Sequence, residues 1–456
     1  MNSNRKFDVA IMGSGVAGIN AAITASQNNL SVSLIDMENS LGGISYNYGC
    51  VPTKTLLHTA YLFDTFKQLE SFGLRGFNQE NLVPDWGLIT QRMKDNVKRS
   101  VKHLTTVLNK HNITRINGQA KVIGPNALGV NHEKIFFSSL IIATGSEYPS
   151  LSFFKSNFQK LYTPKTIYSI REIPKSITII GAGMIGVEFA CMFASLGSTV
   201  HLVDKSPKLM PYMDEELSTF LVNLLKEKNI SLHLGFEAVD NKADHLFIKN
   251  KNKNQNDVLK TDIYLSCIGR KANLSGIEYL LDHKLELTKR GFISTNLKLE
   301  TTLPGIYAAG DVNGRFMLAH VASKEGEIAA NNIAGNESEI LYDLMPYNMY
   351  TSPEFASVGL TEKKAREQGF LAHSQIYSLN SNIKVITEGQ SGGLIKVVSK
   401  LDDSEILGVH IIGQNATDLI GEAILYMTSG ATPGNFKSVV HPHPSMSEAL
   451  VESLVK

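Results

Sequence analysis

Cys50 sits in the stretch Leu41-Gly42-Gly43-Ile44-Ser45-Tyr46-Asn47-Tyr48-Gly49-Cys50-Val51-Pro52-Thr53-Lys54, whose residue types and spacing suit thiol chemistry. The glycine pair lets the backbone turn sharply or approach a ligand closely. Pro52 fits the first turn of a helix that Thr55-Leu56-Leu57 can continue. A cysteine just ahead of a helix N-terminus meets the positive end of the macrodipole, which favours its thiolate. Lys54, one turn in, adds a positive charge. A single cysteine is more often a small buried hydrophobe, so its surroundings decide between the two readings.

Those surroundings contain one phosphate-binding pattern twice. An apolar run over residues 7–12 opens on Gly13-Ser14-Gly15-Val16-Ala17-Gly18, a helical stretch follows to Gln27, and a second apolar run ends at Asp36. Later, residues 177–180 open on Gly181-Ala182-Gly183-Met184-Ile185-Gly186, with a helix to Ser195 and a strand ending at Asp204. From Gly13 to Asp36 and from Gly181 to Asp204 the spacing is the same, 23 residues. In such units the first glycine makes the tight turn, the second admits a pyrophosphate, and the third permits close helix–strand packing. The helix N-terminus faces the phosphates and the acid accepts from ribose hydroxyls. One match can be a glycine-rich structural turn; two with identical spacing predict two dinucleotides, a flavin and a nicotinamide, the wiring of an electron-transfer enzyme. Asp204 in place of a basic cluster disfavours a 2′-phosphate and favours NAD, although Lys205 stands beside it.

The totals narrow the class. At 456 residues the chain exceeds a single core. Lys and Arg number 44 against 43 Asp and Glu, which argues against nucleic acid or an anionic membrane as principal partner. Three scattered cysteines do not make a secreted disulfide framework. The N-terminal apolar run is too short for a signal peptide, and no run approaches the ~18 residues of a membrane span. The expectation is a cytoplasmic protein with no metal.

The remaining elements must position these groups. Residues 58–72 and 91–109 show helical periodicity; Met93, Val97, Val101, Leu104 and Leu108 fall on one stripe, with a basic face opposite that reads as solvated. Residues 139–146 read as a buried strand ending in small residues, and 264–270 and 305–311 repeat that style. Pro149, Pro164 and Pro174 punctuate a connection into the second unit, and residues 249–257 form a polar hairpin tip. Strand-like runs at 357–360, 394–398 and 406–412, then a helix through Met427, suggest a separate α+β unit. The expected architecture is α/β: two Rossmann-like dinucleotide-binding units followed by a separate α+β unit over 342–456.

In order along nearly the whole chain, these residues resemble the pyridine nucleotide–disulfide oxidoreductases, and most of all the dihydrolipoamide dehydrogenases. The resemblance covers both glycine loops, the Gly42 to Lys54 stretch, Ala143-Thr144-Gly145, Gly310-Asp311, Met317-Leu318-Ala319-His320, residues 350–362 and the closing His443 to Glu448. It implies an FAD-binding domain (1–149), an NAD-binding domain (150–270), a central domain completing the FAD site (271–341) and an α+β C-terminal dimerisation domain (342–456). These make a homodimer in which NADH and flavin exchange a hydride on one flavin face and a Cys-x4-Cys pair works on the other. By that resemblance Asp36 holds the FAD ribose, Asp311 the ribityl chain and Asp204 the NAD ribose. Lys54 pairs with Glu188 near the flavin, and His443, oriented by Glu448, is the acid–base across the dimer interface. Gly43, Ala120, Thr144, Gly145, Ala319 and Gly269 join the glycine loops in lining the dinucleotides. Without the family pattern, Glu188 and Lys54 read as surface charges, and His443 is one of 13 histidines. Cys191, in an apolar helix, and Cys267, in an apolar strand, read as inert core.

One departure matters: the family pattern has cysteines at both 45 and 50, and here position 45 is Ser45. A serine hydroxyl forms no disulfide and is barely ionised near neutrality. By position Cys50 matches the flavin-proximal thiol, and the absent one is the thiol that attacks substrate. Ser45 is either an engineered trap in an ordinary dihydrolipoamide dehydrogenase or a native change. Ile44 in place of threonine, with Tyr46 and Tyr48 in place of aliphatics, favours divergence. Three functions stay open for a native serine. One is an NADH-dependent flavin enzyme reducing a quinone, dye or oxygen. Another is a single-cysteine reductase of small disulfides or peroxides using Cys50. The third is a flavin-loaded interaction protein binding a 2-oxo acid dehydrogenase complex core without turnover, against which the intact Lys54, Glu188, His443 and Glu448 set argues.

Overall fold

In the computed structural model, which describes residues 5–76, 81–151, 160–242, 245–390 and 392–454, the first glycine loop hangs from the parallel part of a mixed sheet. Residues 1–4, on which the signal-peptide reading partly rests, and part of the connection between Pro149 and Pro164 lie outside the described residues. The strands are β1 (Arg5–Met12), β2 (Val32–Asp36), β3 (Ile113–Asn117), β4 (Lys121–Gly124), β5 (Ala127–Val130) and β6 (Glu133–Ile142), in the order β3-β2-β1-β6-β5-β4. β1 pairs in parallel with β2 on one side and β6 on the other, with Ile11 opposite both Leu34 and Ile141. Both faces of these strands are covered, which is why they read as continuous apolar runs; Val9, Ala10 and Ile11 have no exposure at all. Strand order reverses at β1, so the crevice beyond its carboxyl end is the switch point at which α/β sheets bind ligands. Residues 271–341 return to this sheet. Ile306–Ala308 pairs in parallel with β6, and helix Ala319–Ile333 packs on α1 (Val16–Gln27). A Cβ at Gly326 would lie 2.1 Å from the Ala17 carbonyl oxygen, so glycine sets that helix spacing.

A second, five-stranded parallel sheet repeats the design, in the order Ser231–Leu234, Thr199–Asp204, Ser176–Ile180, Ile263–Ser266 and Leu161–Tyr162. In both units the first glycine's N–H closes onto the neighbouring strand at the same distance: Gly13 donates to Ile35 O and Gly181 to Val203 O, each at 2.8 Å. The C-terminal sheet is antiparallel, in the order Tyr347–Met349, Glu354–Gly359, Ile406–Gly413, Leu394–Lys400 and Ala372–Ser378. Its central strand Ile406–Gly413 is buried along its whole length, and helix Ala416–Thr428 packs against it and its neighbour Glu354–Gly359. The α/β architecture with two Rossmann-type sheets and a separate α+β C-terminal unit agrees with the expectation.

Several element boundaries differ from the sequence reading. A five-residue helix α2 (Gly43–Asn47) carries Ser45, and Cys50 is the first residue of α3 (Cys50–Phe66) rather than a residue ahead of it. α3 stops at Phe66, short of residue 72, and only a 3-10 turn, Leu69–Phe72, follows before Gly73. α4 (Trp86–Leu108) begins five residues earlier than its apolar stripe indicates, because the Asp85 carboxylate caps Leu88 N. The buried strand over 139–146 starts at Glu133 and ends at Ile142, since Ala143 and Thr144 turn to meet the Gly13 loop. The polar tip at 249–257 shrinks to a turn over 251–254, where the Asn250 side chain accepts from Asn252 N and Lys253 N at 3.1 Å. No helix among the described residues is long and apolar enough to cross a membrane.

Candidate functional site

The two glycine loops are built alike. A Cβ at Gly13 would lie 2.3 Å from Ala143 O, and one at Gly181 would lie 2.5 Å from Cys267 O. Their φ values, +107° and +105°, also demand glycine. At the third position of each loop, Gly18 and Gly186, a Cβ would sit 1.9 Å from the first glycine's carbonyl oxygen. The middle glycines differ. At Gly15 (φ −69°) and Gly183 (φ −76°) a Cβ would meet nothing within 4 Å. Neither backbone nor packing asks for glycine there. The reason left is a ligand lying against the backbone at the N-terminus of α1 and of α5 (Met184–Ser195), where the free N–H groups and the dipole favour a phosphate. The cradles therefore fit a dinucleotide each.

Each acid closes its own cradle. Asp36 accepts from Ser14 N at 2.5 Å, from Ser14 Oγ at 2.8 Å and from Glu38 N at 2.8 Å. Asp204 accepts from Ala182 N at 2.7 Å and Ser206 N at 2.8 Å. A carboxylate offers about four lone-pair positions, so both keep capacity for a ribose hydroxyl. Gly43 comes up against the first loop, where its Cβ would be 2.9 Å from Gly15 Cα, and Gly42 N donates to Ser14 O at 2.8 Å. Thr144 Oγ1 donates to Asn273 O at 2.6 Å, and Asn273 N donates to Gly145 O at 3.0 Å. Ala120 is buried between β3 and β4, with its carbonyl packed on Gly276. Ala319 opens the helix that packs on α1, and Gly269 (φ +102°) lies in the turn after Ile263–Ser266.

The structure joins Lys54 and Glu188, on α3 and α5. Lys54 Nζ is 2.8 Å from both carboxylate oxygens, Tyr350 N donates to Glu188 Oε1 at 2.9 Å, and the ammonium lies 4.6 Å from the Tyr350 ring centroid. Burial alone would lower the lysine's pKa, but the Glu188 charge and the nearby Cys50 raise it above the ordinary value. Cys50 is exposed and Ser45 half-buried. Cys191 is buried in α5 and its thiol is pushed up to about 12 by desolvation. Desolvation also raises Cys267, which lies beneath the Gly181 loop. Cys191 matches the inert core that the sequence suggested. Cys267 does not lie in the strand, which ends at Ser266, but in the turn that meets the Gly181 loop, where it is only partly buried.

Asp311 is anchored by residues the sequence reading did not single out. Arg270 pairs with its carboxylate and also donates to Met317 O at 2.6 Å, while Ser146 Oγ donates to Asp311 Oδ2 at 2.6 Å. The turn itself is held by Glu325, which accepts from Gly310 N at 2.6 Å, Asn313 Nδ2 at 2.8 Å and the Tyr342 hydroxyl at 2.7 Å. Burial raises the Glu325 pKa against those three donors. Glu325 sits mid-helix, where the only signal is an acid among small apolar residues. At the C-terminus His443 Nδ1 is 2.8 Å from Glu448 Oε1, and Ser445 N donates to Glu448 Oε2 at 2.8 Å. These contacts, the Ser445 amide first and His443 second, hold Glu448 below the usual carboxylate range. His443 is exposed and bonds Glu448, not the Cys50 loop of its own chain.

A family model described as pyridine nucleotide-disulphide oxidoreductase matches residues 7–326, and the dimerisation domain of the same family matches 345–454. The dihydrolipoyl dehydrogenase of Thermus scotoductus is 33% identical over 457 residues, covering 98% of this chain and 97% of that protein. One from Bacillus subtilis is 32% identical over 466 residues, with the same coverage of 98% and 97%. Among solved structures, LpdA from Mycobacterium tuberculosis has the same fold, with a TM-score of 0.90 at 21% identity over 99% of both chains. So does the HOCl-induced flavoprotein disulfide reductase RclA from Escherichia coli, with a TM-score of 0.85 at 24% identity over 98% of this chain and 100% of that one. With likeness running the length of the chain, the middle glycines of both loops have their explanation: the chain belongs to the class I pyridine nucleotide–disulphide oxidoreductases, in the dihydrolipoyl dehydrogenase family, as an NAD(H)-dependent FAD oxidoreductase carrying that family's dimerisation domain.

Proposed function

We propose that this enzyme exchanges electrons between NAD(H) and FAD with Cys50 as the one thiol beside the flavin, and that Ser45 removes the dithiol relay. When bound, FAD accepts hydride from NADH and passes electrons on. Asp36 holds the ribose of FAD and Asp204 that of NAD, each already fixed to its own glycine loop. Asp311, set by Arg270, Ser146 and the Glu325 turn, bonds the ribityl chain. Lys54, kept protonated by Glu188, presents a fixed positive charge near the flavin ring. His443, oriented by Glu448, serves as acid–base toward the partner subunit's site in the homodimer. The domain division that goes with this is FAD-binding 1–149, NAD-binding 150–270, central 271–341 and dimerisation 342–456. Three unpaired thiols suit a reducing compartment, and we place the enzyme in the cytoplasm.

The observation that carries the reading is the absence of a substitute for the sulfur lost at position 45. The other two cysteines, Cys191 and Cys267, have thiols that burial keeps protonated. Thiolate is the attacking form in disulfide exchange, so neither can open a dithiol cycle with Cys50. The electron acceptor is then a molecule that needs no attacking thiol at position 45. The oxidised, FAD-loaded protein should show a long-wavelength thiolate-to-flavin band from Cys50, and titration with NADH, followed by visible absorbance, should bleach the flavin and that band together. Dihydrolipoamide–NAD turnover should be weak or absent in the Ser45 protein and appear in Ser45→Cys. Robust lipoamide turnover with Ser45 in place would overturn the proposal. It would favour membership of a 2-oxo acid dehydrogenase complex instead.

A further inference from the structure

We propose that Tyr168 is a positioning residue that clamps the turn carrying Cys50. Its hydroxyl donates to Tyr48 O at 3.2 Å and meets Thr53 Oγ1 at 2.8 Å. A phenol has one proton to give, so Thr53 is the donor in the second bond. Tyr48 lies two residues before Cys50 and Thr53 three after it, so one oxygen bridges the turn through Gly49 from both sides. Thr53 is 5% exposed, so little water competes for its hydroxyl.

Tyr168 comes from outside the Cys50 segment, on the short 3-10 turn Ile167–Ser169 that lies between the second sheet's strands Leu161–Tyr162 and Ser176–Ile180. Its ring lies 6.3 Å from that of Phe189, the neighbour of Glu188 on α5. The same segment grips the loop a second time, where Lys165 Nζ lies 4.6 Å from the Tyr48 ring centroid and 3.5 Å from Glu38. A phenylalanine or leucine would fill the space against Phe189 equally well; the hydroxyl is what the turn uses. Burial raises the phenol's pKa far above its usual value, against the Thr53 bond that lowers it, so the clamp keeps its proton at neutral pH. The fold thus ties the Cys50 turn and the Lys54–Glu188 pair to one ring stack. The functional weight of the clamp rests on the reading of Cys50 given above; its existence does not.

The test uses the full-length, FAD-loaded protein and the variants Tyr168→Phe, Thr53→Val, Thr53→Ser and the double Tyr168→Phe/Thr53→Val. The readouts are the rate of Cys50 alkylation by iodoacetamide, followed by peptide mass spectrometry, and the long-wavelength thiolate-to-flavin band of the oxidised protein. Thr53→Val, which removes one ordering hydrogen bond, should change the alkylation rate by about threefold or more, and Tyr168→Phe, which removes both, by at least as much. Each should also weaken the band. Thr53→Ser, which keeps the hydroxyl, should behave as the parent, and the double variant should go no further than Tyr168→Phe, because the phenol takes part in both bonds. Should Tyr168→Phe fail to fold, Thr53→Val against Thr53→Ser makes the same comparison. Parent-like alkylation and an undiminished band in Tyr168→Phe and Thr53→Val would overturn the clamp and leave the role of Cys50 standing. A parent protein with no band would overturn that role, and the alkylation rates would still decide the clamp.

Discussion

Lys54 and Glu188 lie 134 residues apart in sequence, yet one ammonium contacts both oxygens of the carboxylate at 2.8 Å. The pair pins α3, which begins at Cys50, to α5, which begins at the second glycine loop. This ionic contact is one of several that join the two units; further along α3, Asp64 meets Lys228 at 2.9 Å and accepts from Ser195 Oγ at 2.5 Å.

Glu188→Gln should expose the cost of that arrangement. Glu188 is 4% exposed and Lys54 31%, so the lysine keeps some water and the loss belongs at the lower end of the buried-pair range, about 3 kcal/mol. The pH dependence follows from the raised pKa of Lys54. Its contribution is complete below the ordinary lysine value of 10.5 and is lost as pH rises through the higher folded-state value. Denaturation of parent and variant should differ most at neutral pH and converge in strong alkali. A gap that stays constant to pH 12 would show that the pair is not its source.

The glycines separate fold from ligand. Gly183→Val adds atoms to open space at an ordinary φ, so the protein should stay folded and yellow while its NADH affinity falls tenfold or more, by about 1.4 kcal/mol or beyond. Gly15→Val is its counterpart and should give folded protein that has lost flavin. Gly186→Ala drives a Cβ to 1.9 Å from Gly181 O, so it should destabilise the fold itself, by about 1–3 kcal/mol or more. Fluorescence titration with NADH and flavin content per chain read the three outcomes separately. Unchanged NADH affinity in Gly183→Val would remove the nucleotide from that loop.

How much of this was legible in the sequence depended on distance along the chain. The glycine loops were readable because turn, packing and ligand approach each impose glycine at a fixed local spacing. Cys50, Lys54, Asp36 and Asp204 follow from the same short windows. The five-residue helix Gly43–Asn47 was not, being too short to show a period. The strand read over 139–146 runs four residues past its true end at Ile142, because nothing local says that Ala143 must bend to receive Gly13, and it misses the start at Glu133. Tyr168, Glu325 and Lys396 look like surface residues one at a time. Tyr168 meets Thr53 across 115 positions and Lys396 meets Glu216 across 180, and local periodicity carries no record of such partners.

Glu448→Ala should loosen the last turn before the C-terminus. Its carboxylate accepts from the Ser445 amide and holds His443, and both contacts keep it ionised below the usual range. A depressed carboxylate contributes above the ordinary value of 4.5, and that contribution is lost as pH falls through the folded-state value. Amide exchange at Ser445 should quicken roughly tenfold in the variant near neutrality, with the difference vanishing in acid. Equal exchange in both proteins at neutral pH would mean that the turn stands without Glu448.

Lys396→Met is the most severe change we expect outside the cofactor cradles. Lys396, 3% exposed on the strand Leu394–Lys400, meets Asp214 at 3.1 Å and Glu216 at 2.6 Å, at the start of α6 (Glu215–Glu227), and Glu362 at 3.4 Å. The cluster thereby fastens the second sheet's helix to the C-terminal unit. Burial is the largest cause lifting Asp214, to about 6, with Glu216 adding to it and Lys396 opposing it. Glu216 is displaced downward, chiefly by its hydrogen bond with Asp214, so the two acids titrate as a pair. Removing the lysine leaves three acids around one buried gap, at a cost of about 3–5 kcal/mol at pH 7.5. Asp214 is shifted in the opposite direction to Glu448, although in both cases acid narrows the gap between parent and variant. A carboxyl raised on folding takes up its proton below about 6, so acid relieves the repulsion. The variant's melting temperature should therefore lie closer to the parent's at pH 5 than at pH 7.5. A deficit equal at both values would show that the loss comes from packing of the lysine stem and not from its charge.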